Sequence, residues 1–149
     1  MRLLLISNST NAGEAYLDYP KYNIRDFLGK ERLQCLFLPY AGVSISFDDY
    51  ETRVKERFAE IGQDIISIHH ASDPVAAVKN ADAIIVGGGN TFQLIKMIQD
   101  NGLIAPIQER VGSGIPYVGW SAGSNVTCPS IRTTNDMPIL EPESFNAFN

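Results

Sequence analysis

The sequence predicts an α/β fold: one doubly wound, mainly parallel sheet with flanking helices. Three observations carry this. Five short runs are apolar throughout rather than alternating, as strands buried on both faces are. Helix-like segments separate them, and a strand–helix alternation implies parallel crossovers. Glycine and small polar residues crowd the positions just after the runs, where open α/β sheets bind ligands.

The five expected strands are Leu3–Ser7, Gln34–Pro39, Ile65–His69, Ala83–Gly87 and Pro116–Trp120. The first clear helix starts near Asp48. Tyr50, Val54, Phe58 and Ile61 recur on one face, Glu51, Arg53, Lys55 and Glu56 fill the others, and Gly62 stops it. Asp73-Pro74 opens a second helix as an N-cap residue followed by proline. A third follows Asn90-Thr91, with Phe92, Ile95 and Ile98 turned inward. A fourth runs from about Leu103 to Val111 and ends in Gly112-Ser113-Gly114.

With 149 residues the chain is expected to be a single domain, 1–149. Hydrophobic residues at 44% and charged residues at 19% suit a folded domain with a real core. The formal net charge of −5 lacks the basic footprint of a nucleic-acid partner, and no basic amphipathic stretch suggests a membrane surface. The apolar run Leu3–Ile6 is too short for a signal-peptide core or a membrane span. Cys35 and Cys128 lack metal-ligand spacing, and Cys35 reads as a buried thiol inside a strand. Nothing asks for an oxidising compartment, so the expected location is cytoplasmic.

Gly119-Trp120-Ser121-Ala122-Gly123 fits the nucleophile elbow, G-x-S-x-G, in the right context of a strand running into a helix. Such a turn lifts the serine hydroxyl above the sheet edge, and the Ala122 N–H can stabilise an oxyanion. Gly87-Gly88-Gly89 follows the fourth strand, and a glycine N–H there suits the second oxyanion donor. A phosphate-binding reading fails on spacing, because Phe92 stands where G-x-G-x-x-G needs glycine. A dinucleotide site also lacks its acidic residue, since the second strand closes on Pro39-Tyr40.

His69 and His70 are the only histidines. Strand order 3-2-1-4-5 would place them about 19 Å from the serine, and order 2-1-3-4-5 about 10 Å, so neither serves directly as its base. They are set aside as metal ligands, with no third ligand spaced near them in sequence. After Ser121 the acidic residues are Asp136, Glu141 and Glu143, and no histidine follows.

The stretches LLLISNST, IIVGGGNTFQL, GWSAGSN and RTTNDMPI, in one collinear register, resemble the peptidase E (α-aspartyl dipeptidase) family of serine peptidases. The resemblance implies a class I glutamine amidotransferase-like sheet with flavodoxin-like layering. It implies hydrolysis of dipeptides with N-terminal aspartate by a Ser-His-Glu triad, with neither cofactor nor metal. Ser121 matches the nucleophile, and Gly88 and Ala122 match the region of the oxyanion donors. The family's histidine and glutamate lie beyond Asn149, so the chain is expected to correspond to the N-terminal part of such an enzyme, a C-terminally truncated peptidase E domain. The rival expectation is a binding module that keeps the pocket and lacks the base. Arg132, beside the Thr133–Asp136 turn, is the expected partner of the substrate aspartate, with Asn90 as a second substrate-binding residue. The expected partner is a small Asp-Xaa peptide.

Overall fold

A computed structural model describes residues 1–149. Five strands, β1 (Arg2–Ile6), β2 (Gln34–Leu38), β3 (Asp64–Ser67), β4 (Ala83–Val86) and β5 (Pro116–Trp120), form one sheet in the order β1-β5-β4-β2-β3. Every neighbouring pair is parallel. Six helices accompany them: α1 (Lys21–Leu28), α2 (Phe47–Ala59), α3 (Pro74–Asn80), α4 (Thr91–Asp100), α5 (Ile104–Gly112) and α6 (Ala122–Asn125). No helix is long and apolar enough to cross a membrane.

Alternation along each inner strand divides the core in two. Cys35, Phe37, Ile85, Val118 and Trp120 face α1 and α2, meeting Ile24, Leu28, Val54 and Phe58. Leu36, Leu38, Ile84, Val86 and Tyr117 face α3 to α6. Cys35 is fully buried, and burial pushes its thiol pKa up to about 12. The expected Asp73 cap is present, accepting from the Ala76 N–H, and Ser46 and Asn90 cap α2 and α4 in the same way, accepting from the Asp49 and Gln93 N–H groups.

Three sequence expectations change. The strand order is neither of the two considered, because β1 lies at the edge rather than inside the sheet. Its all-apolar sequence suggested burial on both faces, yet Leu3 and Leu5 are exposed and only Ile6 is buried. The β3 end therefore stands three strand spacings from β5, about 14 Å. Helix α1 had no strong sequence signal. It follows Pro20 without a side-chain cap, and only Ile24 and Leu28 are buried. On α4, Leu94 joins Ile95 and Ile98 in the core, while Phe92 is half-buried with its ring against Phe145.

Arg57 ties α2 to the segment that precedes α1. Its Nε donates to the Tyr16 carbonyl at 2.9 Å, and its Nη1 reaches Asp18 at 2.9 Å and Glu60 at 2.8 Å. This fixes the segment after β1 over α2.

Leu3 and Leu5 share one uncovered face of an edge strand whose outer backbone is unpaired. The 149-residue chain is expected to self-associate, and Leu5→Lys to weaken that association. Sedimentation velocity over a concentration series checks this: a wild type that stays monomeric throughout counts against it.

Candidate active site

Register alone brings the site together. Ile6 pairs with Trp120, and Val86 pairs with Gly119. Ser7, Ser121 and Gly88 therefore emerge side by side at the carboxyl edge of β1, β5 and β4, as the sequence predicts. The Ser121 N–H donates to the Ile6 carbonyl at 3.0 Å. The Ser124 hydroxyl lies 2.8 Å from both the Ile6 and the Gly119 carbonyl oxygens, its one proton shared between them, and accepts from the Ile6 N–H at 3.1 Å.

Ser121 has φ 53° and ψ −117°, left-handed backbone that a non-glycine residue seldom adopts. A conformation of this kind costs roughly 1–3 kcal/mol and persists only where its surroundings enforce it. The surroundings here are two close approaches. A Cβ on Gly123 would fall on the Val86 carbonyl, so α6 lies directly against the end of β4. A Cβ on Gly88 would come within 2.8 Å of the Ser121 Cβ, so the glycine loop touches the elbow. The Gly88 N–H has no acceptor within the protein. The Ala122 N–H, first in α6, has no intrahelical one. Both residues stand beside Ser121.

The cleft over Ser121 is lined by Asn8, Ser9, Tyr16, Tyr50, Arg53 and Trp120, together with the Gly88-Gly89 and Gly42–Ile45 loops. Tyr16 donates to Tyr50 at 3.4 Å, and Tyr50 donates to the Gly88 carbonyl at 2.8 Å. Burial pushes both phenols above their ordinary pKa, so they stay neutral donors. Arg53 is the only charged residue lining the cleft, its guanidinium 5.4 Å from the Tyr16 ring centroid. The sequence placed Arg53 on the solvent face of its helix and Tyr50 in the core. The spacing was read correctly, but it could not show that the exposed face borders a cleft.

Two expected substrate residues lie elsewhere. The Asn90 side chain is consumed by structure, accepting from the Gln93 N–H at 3.1 Å and donating to the Met137 carbonyl at 2.8 Å. Arg132 stacks over Phe145 at 5.3 Å and does not line the cleft. The Thr133–Pro138 stretch instead braces the glycine loop, since the Asp136 carboxylate accepts from the Thr91 N–H at 2.8 Å. Asn125 of the elbow helix donates to Thr91 at 3.2 Å, so three separated motifs meet at one residue.

His69 and His70 do not line the cleft. They sit in a 3₁₀ turn after β3, where folding brings Asp48 and Glu51 of α2 to them. This overturns the sequence argument that they lack further ligands: the partners lie about twenty residues upstream, one helical turn apart, invisible to local spacing.

The profile of Peptidase family S51 matches residues 3–149. Peptidase E of Nostoc sp. (strain PCC 7120) is 47% identical over 148 residues, covering 99% of this chain and 61% of the relative. Peptidase E of Escherichia coli O6:K15:H31 is 49% identical over 149 residues, covering 100% of this chain and 65% of the relative. The chain thus spans less than two thirds of the length of these curated relatives. A solved structure of a peptidase from an acI-B1 Actinobacterium superposes with TM-score 0.71 at 19% identity, over 99% of this chain and 63% of that one.

Gly123→Ala is expected to destabilise by about 3 kcal/mol or more, since the new methyl meets backbone. Gly112→Ala is the control: it ends α5 in open space and is expected to be neutral or to gain up to about 1 kcal/mol. Urea denaturation of both variants checks the pair; equal midpoints would refute the close-packing account.

Proposed function

The chain belongs to peptidase family S51, and from that premise we propose that it supplies the nucleophile and oxyanion site of a serine dipeptidase acting on Asp-Xaa substrates. The observation that carries this is Ser121, held in left-handed backbone against Gly88 at the floor of an open cleft. Its Oγ attacks the scissile carbonyl carbon while the base takes the hydroxyl proton, and the carbonyl electrons move onto oxygen. The N–H groups of Gly88 and Ala122 receive that oxyanion. Collapse expels the amine, which takes a proton from the base, and water then cleaves the acyl ester. The base and its carboxylate partner are assigned to the part of the family's length that this chain does not span, since His69 and His70 are engaged with Asp48 and Glu51.

The reader of the substrate carboxylate is assigned to Arg53 rather than Arg132. Arg53 stands at the cleft and Arg132 on Phe145. A guanidinium matches a carboxylate with two parallel hydrogen bonds, and a charge left without its partner costs about 1–3 kcal/mol. A cytoplasmic location belongs to the same proposal and fits short intracellular peptides as substrate.

The test fuses residues 1–149 to the C-terminal third of a peptidase E relative. Ser121→Ala is expected to abolish Asp-Leu hydrolysis, a loss of several orders of magnitude. Arg53→Met is expected to shrink the preference for Asp-Leu over Asn-Leu by roughly 10-fold or more, while Arg132→Met keeps it. Full activity in Ser121→Ala overturns the nucleophile. A preference surviving in Arg53→Met but lost in Arg132→Met overturns the carboxylate reader alone. Tight binding of Asp-Leu without turnover in the wild-type fusion would favour the binding-module reading.

A further inference from the structure

We propose that Asp48, Glu51, His69 and His70 form a binding site for a divalent transition-metal cation of the zinc type, separate from the Ser121 cleft. Each offers one ligand atom, and the four atoms lie within 4.8 Å of one another. The His69 Nε2 is 2.9 Å from Asp48 Oδ1, and the His70 Nε2 is 3.7 Å from that same oxygen and 2.7 Å from Glu51 Oε2. Tetrahedral zinc with bonds of roughly 2.0–2.2 Å sets its donors about 3.3–3.6 Å apart, so small side-chain shifts close the shell.

The groups behind the ligands supply a second, independent observation. Ser67 is fully buried, and its hydroxyl lies 2.6 Å from the His69 Nδ1. That contact engages Nδ1 and leaves Nε2 as the ring nitrogen turned to Asp48. The Ser67 N–H also donates to Glu51 Oε1 at 3.3 Å, which leaves Oε2 turned to the cluster. Outer-shell contacts of this kind orient the ligands of metal sites. Burial is uneven in the same sense: the His69 and Glu51 side chains are 16% and 14% exposed, while Asp48, at 79%, closes the outer side.

Two imidazoles with two carboxylates select zinc, cobalt or nickel over magnesium and calcium, which take oxygen ligands. A cation there clamps the first turns of α2 to the end of β3. Tyr50 stands between Asp48 and Glu51 on that helix and holds the Gly88 carbonyl, so the clamp steadies one wall of the cleft from outside it.

The metal-free 149-residue chain is titrated with Zn²⁺ against a chromogenic chelator and with Co²⁺ by visible absorption. The expected result is one equivalent of either metal, with tetrahedral-intensity Co²⁺ bands and no response to millimolar Mg²⁺. Zn²⁺ at a hundredfold excess over its Kd is expected to raise Tm by roughly 5–10 °C. His70→Ala, at a half-exposed position that folding tolerates, and Glu51→Gln are each expected to weaken binding at least tenfold. Ser67→Ala is expected to weaken it by roughly 10–100-fold. No stoichiometric uptake would leave the histidines as plain ion pairs and overturn the site. So would affinity unchanged in His70→Ala, or a thiolate-to-cobalt band lost in Cys128→Ser.

Discussion

The contact between the ends of β4 and β5 is the constraint on which the remainder of the site depends. Gly88 lies against Ser121 and Gly123 against the Val86 carbonyl, with no room for a Cβ on either glycine. The close approach holds the serine in its left-handed turn and sets Gly88 and Ala122 beside it. The surrounding hydrogen bonds defend that contact. Ser124 bridges β1 and β5, Tyr117 donates to the Gly123 carbonyl, and Asp136 with Asn125 secures Thr91 at the far side of the glycine loop. Strain at one residue is held by many ordinary bonds around it.

The strand order explains how one face of the sheet supplies the cleft. Because β5 lies between β1 and β4, the residues following three strands converge on Ser121, and those following β2 close the side with the Gly42–Ile45 loop. Helix α2 then delivers Tyr50 and Arg53 to the same opening. Had β1 been central, as the sequence orders supposed, Asn8 and Ser9 would not flank β5 in this way.

What the sequence disclosed and what it hid follow from the range of each interaction. Strands, the α3 cap and the elbow rest on neighbours a few residues apart: Asp73 and Pro74, or the glycines flanking Ser121. Those were readable. Strand order was not, because an all-apolar run such as Leu3–Ile6 looks the same whether both faces or one are covered. Arg53 and the Asp48–His69 pairing were hidden for a related reason. Helical spacing tells which residues share a face but not what that face meets. Arg132 was drawn toward substrate as the cation close after the elbow helix and Asn90 by its place after the glycine loop, whereas in the structure their side chains serve an aromatic ring and a helix cap.

Trp120 precedes the serine and is the sole tryptophan of the chain. It is fully buried, stacked near-parallel with Phe37 at 6.2 Å and met edge-on by Tyr16 at 6.3 Å, and its indole N–H has no partner. The intrinsic fluorescence of this molecule therefore originates at one spot, the floor of the cleft. Emission excited at the red edge, where tyrosine does not absorb, is a built-in optical reporter of whatever settles beside the hydroxyl, with no dye and no second chromophore to subtract.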